Sequence, residues 1–221
     1  MQQVIICWDK TITAKEGQMI EQAAKNCVDY FPGVSFKTVG RAAWTNDRRT
    51  SGETVISHAE RRNGQVNVYS VMQEVCKARD AEHGKYHVVV FTAEDLNTFD
   101  NGLVFCFGAR VGDIIVESVR RFRHLNAEDE KLCVLRILRH ELGHLYGAAA
   151  GKYLDNPKSL YRAHCTNKGC SMRQTKNVNE VLQMAREENR YRPFCAECEA
   201  DIARRLPPKS RKRRKRQYFV K

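Results

Sequence analysis

Apolar and polar positions along the chain switch between two periods, and the switches mark the elements. Residues 3–8, "QVIICW", form a short continuous apolar run, which predicts a strand. In "KEGQMIEQAAKNCVDYF" (15–31) the apolar positions Met19, Ile20, Ala23, Ala24, Cys27 and Tyr30 recur every three or four residues, which predicts an amphipathic helix ended by Pro32-Gly33. A polar, Arg-rich stretch from about 40 to 64 follows. "VNVYSVMQEVCKAR" (66–79) predicts a second helix with Val68, Val71, Met72, Val75 and Cys76 on one side. Three strands are then predicted, at "YHVVVFT" (86–92), "GLVFCFG" (102–108) and "DIIVESV" (113–119).

The next helix has the best-marked start. Asn126 can accept from the first free backbone N–H groups, and Glu128, Asp129 and Glu130 place negative charge at the positive end of the helix dipole. It continues through "KLCVLRILRHELGHLYG" (131–147), where Leu132, Leu135, Leu138, Leu142 and Leu145 form a core-facing stripe and Gly147 is the stop signal. Residues 148–163 read as a loop, with turn signals at Gly151 and Asn156-Pro157, and "VNEVLQMAREENRY" (178–191) as a last helix.

Composition adds that 221 residues at 42% hydrophobic can bury a core, which suggests one domain or a domain with a small appendage. The division expected is an N-terminal part over 1–147, a C-terminal part over 148–206 and a basic tail over 207–221. No run approaches the roughly 18 apolar residues of a membrane span, and the first residues read as a strand rather than a signal peptide, so no membrane association and a cytoplasmic location are expected. The net charge of +12 is uneven: residues 209–221, "KSRKRRKRQYFVK", hold eight positive and no negative charges, leaving +4 elsewhere. A run such as Arg211, Lys212, Arg213, Arg214, Lys215 and Arg216 can bind nucleic acid or ribonucleoprotein through its phosphates, or be a solvated terminus.

The nine cysteines fall into two groups. Cys7, Cys27, Cys76, Cys106 and Cys133 are scattered and read as small apolar residues. Cys165, Cys170, Cys195 and Cys198 form two close pairs, a spacing more common for a four-thiolate zinc site than for disulfides in a reducing compartment.

His140 and His144 are four apart, so on a helix both imidazoles can reach one zinc ion, with Glu141 beside them to take a proton from water. "HELGH" is in this sense a zinc-protease signature, and it points to hydrolysis of peptide bonds with Glu141 as general base and no covalent intermediate. Gly147 extends it to HExxHxxG. Ala150 stands where a third histidine would follow in metzincin proteases, and the next histidine is His164. Glu180, Glu187, Glu188 and Asp155 are other possible third ligands, and a site with two histidines is a further one.

The stretch "HCTNKGCSM" (164–172) with "CAEC" (195–198) resembles the archaemetzincin family, whose motif runs HExxHxxGxxHC, four residues, CxM and later CxxC. "VVVFTAEDL", "GLVFCFGAR" and "IIVESVRRF" are similar, more loosely, to strands of that family. The resemblance implies an α+β fold: a metzincin-like mixed twisted sheet with an active-site helix, plus a small four-cysteine zinc subdomain. It also implies two zinc ions, a catalytic one on His140, His144 and His164 and a structural one on Cys165, Cys170, Cys195 and Cys198, with Met172 as the Met-turn beneath the first. A peptide or protein would be the substrate, and "GLVFCFG" is a candidate edge strand to align it.

Two spacings depart from the family. Sixteen residues separate Gly147 from His164, where the family has two, and 22 separate Met172 from Cys195. The longer first connection adds a closure cost of about 2 kcal/mol, against zinc binding of order 10 kcal/mol, so it is expected to be tolerated. A competing reading is a zinc-stabilised nucleic-acid-associated module with little or no protease activity.

Overall fold

The computed structural model describes residues 2–44, 48–79, 86–98, 106–149, 164–188 and 192–206, and the statements below concern those residues. The elements, in chain order, are β1 (Gln2–Trp8), α1 (Ala14–Cys27), β2 (Val34–Gly40), α2 (Gly52–Ser57), β3 (Arg61–Arg62), β4 (Gln65–Asn67), α3 (Val68–Arg79), β5 (His87–Thr92), β6 (Asp95–Asn97), β7 (Gly108–Val111), β8 (Ile114–Ser118), α4 (Ala127–Leu145), α5 (Val178–Glu187) and α6 (Ala196–Arg205). The main sheet has the order β2-β1-β5-β8-β7. Its first four strands run parallel, and β7 closes one edge antiparallel to β8.

Buried parallel strands are apolar on both faces, and here alternate residues feed two separate cores. Val4, Ile6, Val89, Phe91 and Ile115 pack with α1, α4 and residues from 165 to 206. Ile5, Cys7, Val88, Val90, Ile114 and Val116 pack with α2, α3 and Trp44 on the other face. The helix α4 is therefore sandwiched between the sheet and the C-terminal segments, which explains why it is buried on most sides, Arg136 and Arg139 included. Leu132, expected in its core stripe, is only half-buried, while Cys133, Val134 and Ile137 are buried.

The start of α4 is as the sequence indicates: the Asn126 side chain accepts from the Glu128 and Asp129 backbone N–H groups. Its end is a Schellman motif. Gly147 has φ 81°, its N–H donates to the His144 carbonyl and the Ala148 N–H to that of Gly143.

Three local expectations need correction. The strand expected at "GLVFCFG" lies further on, at Gly108–Val111, with only the isolated bridge Leu96–Cys106 before it; residues 102–105 lie outside the described set. Its residues are half-buried and end on exposed Val111, so the edge strand carries no apolar run. On α3, Cys76 is exposed, because Val68, Val71, Met72 and Val75 already fill the inward face. The helix expected over 178–191 is α5, which stops at Glu187 and is not the last, since α6 follows it; Glu188 turns into an extended conformation (ψ 128°) and sends its side chain to two arginines, described below. Residues 150–163 of the loop expected over 148–163, Asp155 among them, and the tail from 207 lie outside the described residues. Among those described, no helix is long and apolar enough to cross a membrane.

Candidate metal centre

His140 and His144 sit one turn apart near the end of α4, and His164 comes to them from the segment after the insertion. One ligand atom of each lies within 4.8 Å of the others. The His140 and His164 rings stack at 5.2 Å, and His144 stands edge-on to both. The Nε2 atoms of His140 and His144 are 3.2 Å apart. Two imidazole nitrogens on a tetrahedral zinc at about 2.0–2.1 Å would be separated by about 3.3 Å, so the pair fits that ion.

The hydrogen bonding sets the tautomer. His140 Nδ1 is 2.8 Å from the Ser171 carbonyl oxygen, which can only accept. The proton is therefore on Nδ1, and the lone pair of Nε2 points into the cluster. Burial, with His164 next, pulls the His140 imidazole down to about 3; burial, with His140 next, holds His144 well below the usual value. Both rings are neutral at pH 7, the form that binds metal.

Met172 is fully buried beneath this helix. A Cβ at Gly143 would run into Met172 Sδ and come within 3.1 Å of Phe194 Cε1. Gly143, a variable position in the HExxH pattern, is thus the residue that lets the methionine approach α4. Cys165 N–H donates to the Met172 carbonyl at 3.0 Å, so residues 164–173 form one strip that presents His164, Cys165, Cys170, Met172 and the carbonyl acceptor of His140.

The four cysteines Cys165, Cys170, Cys195 and Cys198 form the second cluster, again with ligand atoms within 4.8 Å. Cys165 and Cys195 Sγ are 3.7 Å apart, close to the separation of about 3.8 Å for two thiolates on one tetrahedral zinc. Backbone N–H groups of Asn167 and Cys195 donate to Cys165 and Cys170 Sγ. A hydrogen bond from Cys198 lowers the Cys170 thiol to about 5, while the same bond raises Cys198 and burial pushes Cys165 up to about 12. A cation satisfies such a set better than protons do.

Glu141 on α4 is half-buried, and desolvation raises its carboxyl to about 7. Sequence reasoning missed its neighbour Glu117 on β8. This side chain is fully buried, and among the described residues neither oxygen has a hydrogen-bond partner. Burial, then the charge of Glu141, pushes its carboxyl well up. An acid in the middle of the strand run "IIVESV" is the signal that was available. Burial and then Glu141 also raise Cys106, to about 12.

The other carboxylates considered as third ligands are used elsewhere. Glu180 closes the start of α5, accepting from Lys176 N–H and Asn177 Nδ2. Glu187 accepts from Gln183. Glu188 is buried between Arg136 and Arg139. The basic residues Arg211 to Arg216 lie outside the described residues.

No protein-family model matches the sequence, and no curated protein matches it. Solved structures do. An archaemetzincin from Methanopyrus kandleri superposes with a TM-score of 0.64 at 21% identity, covering 92% of this chain and 94% of its own. A zinc-dependent peptidase from Methanocorpusculum labreanum gives 0.63 at 15% identity, covering 90% and 99%. An archaemetzincin from Archaeoglobus fulgidus, complexed with malonate, gives 0.59 at 17% identity, also covering 90% and 99%. The chain thus has the fold of these proteins over nine-tenths of its length.

Proposed function

We propose that the protein is a zinc-dependent metallopeptidase of the archaemetzincin type, acting on a peptide or protein substrate. The observation that carries the reading is the convergence of the three imidazoles of His140, His144 and His164, with Glu141 on the same helix turn. A zinc-storage site would have no use for that carboxylate.

On this reading His140, His144 and His164 hold one zinc and the four cysteines a second. The first ion would supply Lewis acidity and a bound water of lowered pKa, whereas the second, closed by four thiolates, would contribute only folding energy. Glu141 takes the proton of the attacking water and returns it to the leaving amine, a carboxyl suited to both tasks because it titrates near neutrality. His140 stays in one tautomer through Ser171, and Met172 fills the floor beneath the ligands. The basic run from Arg211 to Arg216 would add salt-sensitive nucleic-acid or ribonucleoprotein binding, removable by deleting residues 209–221 without loss of peptide hydrolysis.

The test compares zinc content and peptide cleavage of the wild type and Glu141→Gln. The variant should keep two zinc ions per chain and lose activity by about a hundredfold or more. Undiminished cleavage by Glu141→Gln, or a wild type without metal on the three histidines, overturns the reading.

A further inference from the structure

The metal clusters do not account for two buried cations. Arg136 and Arg139, 2% and 5% exposed, lie on α4 just before His140 and share one buried carboxylate, Glu188. Arg136 uses its guanidinium as a fork. Nη1 donates to Glu188 Oε1, and Nη2 donates to the Arg173 carbonyl at 2.9 Å, with Met184 Sδ at 3.3 Å. Arg139 donates to Glu188 Oε2 at 3.1 Å and lies over the Tyr30 ring at 4.9 Å.

We infer that Arg136 is a positioning residue of the three-histidine centre, holding through the Arg173 carbonyl the turn whose Ser171 carbonyl orients His140 and whose Met172 underlies the helix. The inference rests on the reading of those histidines as a metal centre. Its geometry is that of two clamps on one short turn. Arg136 grips the carbonyl of residue 173 and His140, one helical turn further along α4, grips that of residue 171. The intervening Met172 is then fixed against Gly143. Glu188 keeps the fork aimed, and Arg139 holds the carboxylate from the far side.

Charge accounts for the otherwise costly excess of two buried arginines over one carboxylate. Arg136 lies in the field of Cys170, and although burial pulls its guanidinium down to about 10 it stays charged at pH 7. A zinc ion on four thiolates leaves a surplus of negative charge beside it. The surplus cation of the arginine pair matches that site, so Arg136 serves the cysteine cluster electrostatically and the histidine cluster mechanically. Lysine could not replace it, since a single ammonium lacks the rigid fork that reaches two acceptors in different directions.

The experiment loads the full chain with Co²⁺ in place of zinc and compares the wild type with Arg136→Lys and Glu188→Gln. Affinity at the three-histidine centre is read by competition with a chromophoric chelator and by the cobalt d–d bands, and the four-cysteine site by its thiolate charge-transfer band. Arg136→Lys should weaken cobalt binding at the histidines about tenfold to a hundredfold and shift the d–d bands, with the thiolate band retained. Glu188→Gln should shift both in the same direction by a smaller factor. Wild-type affinity and spectra in the variants, even at a lowered unfolding temperature, make Arg136 a structural residue only and overturn the inference. If Arg136→Lys loses the thiolate band through misfolding, Glu188→Gln decides by the same criterion. A wild type that binds cobalt at both sites yet cleaves no peptide defeats the peptidase reading and leaves this inference standing.

Discussion

His140 Nδ1 donates to the carbonyl of Ser171 at 2.8 Å, tying α4 to a turn 31 residues further along the chain. The acceptor is a backbone atom, so no substitution at position 171 removes it. Disturbing it requires moving the turn. The residues that set the turn's distance from α4, Gly143 above all, are therefore where changes should be felt.

Gly143→Ala separates packing from helix propensity. In an open helix the change would stabilise by about 1 kcal/mol. Here the new methyl meets Met172 and Phe194, so urea denaturation should show a loss of about 1–3 kcal/mol. A gain would mean that Met172 does not sit against the helix.

Removing metal should unfold the region around residues 164–206. Cys198→Ser is expected to lose one metal equivalent and to lower the thermal midpoint, because Cys198 and Cys170 are fully buried in the same core as α4. Cys76→Ser, at an exposed position, should change neither. Equal metal content in Cys198→Ser and wild type would remove Cys198 from the ligand set.

Glu117 makes stability fall with rising pH. Its folded-state carboxyl is raised above the ordinary range by burial and by Glu141, so above about pH 4.5, the usual carboxyl value, the unfolded chain releases its proton first. From there upwards the folded state loses ground. Glu117→Gln should be more stable than wild type at pH 8 and less different from it at pH 4, as read by denaturant midpoints. The reverse order would place an unseen cationic partner on that carboxyl.

Glu16 acts in the opposite sense. Burial works against its charge, but Arg123, in a two-nitrogen contact at 2.6 and 2.8 Å, and Thr13 outweigh it and lower its carboxyl. Its contribution is present above the usual carboxyl value and lost as pH falls through the folded one. Arg123→Gln should cost about 2 kcal/mol at pH 7, with a smaller difference below pH 3. A pH-independent loss would mean that the arginine acts by packing.

Much of this was legible because it is local. The Asn126 cap, the acidic first turn, Gly147 and the HExxH spacing each act within one or two turns of α4, and His164 stood out by its cysteine neighbours. The edge strand β7 was not legible because a strand half open to solvent need not be apolar. The short hairpin of β3 and β4, whose Asn63 and Gly64 have φ of 52° and 77°, was passed over among the surrounding charges, although Asn-Gly is the residue pair such a turn requires. Glu117 was legible only as an acid within an apolar strand run, and the Arg136–Glu188–Arg139 group not at all, since its buried ion pairs join residues dozens of positions apart.

The strip from His164 to Arg173 belongs to both clusters, and this makes their occupancies mutually dependent. By thermodynamic reciprocity, whatever factor a filled cysteine site adds to the histidines' affinity, filled histidines must return to the cysteines. With zinc at both clusters, a chelator would then strip the pair in an order not deducible from either site measured by itself.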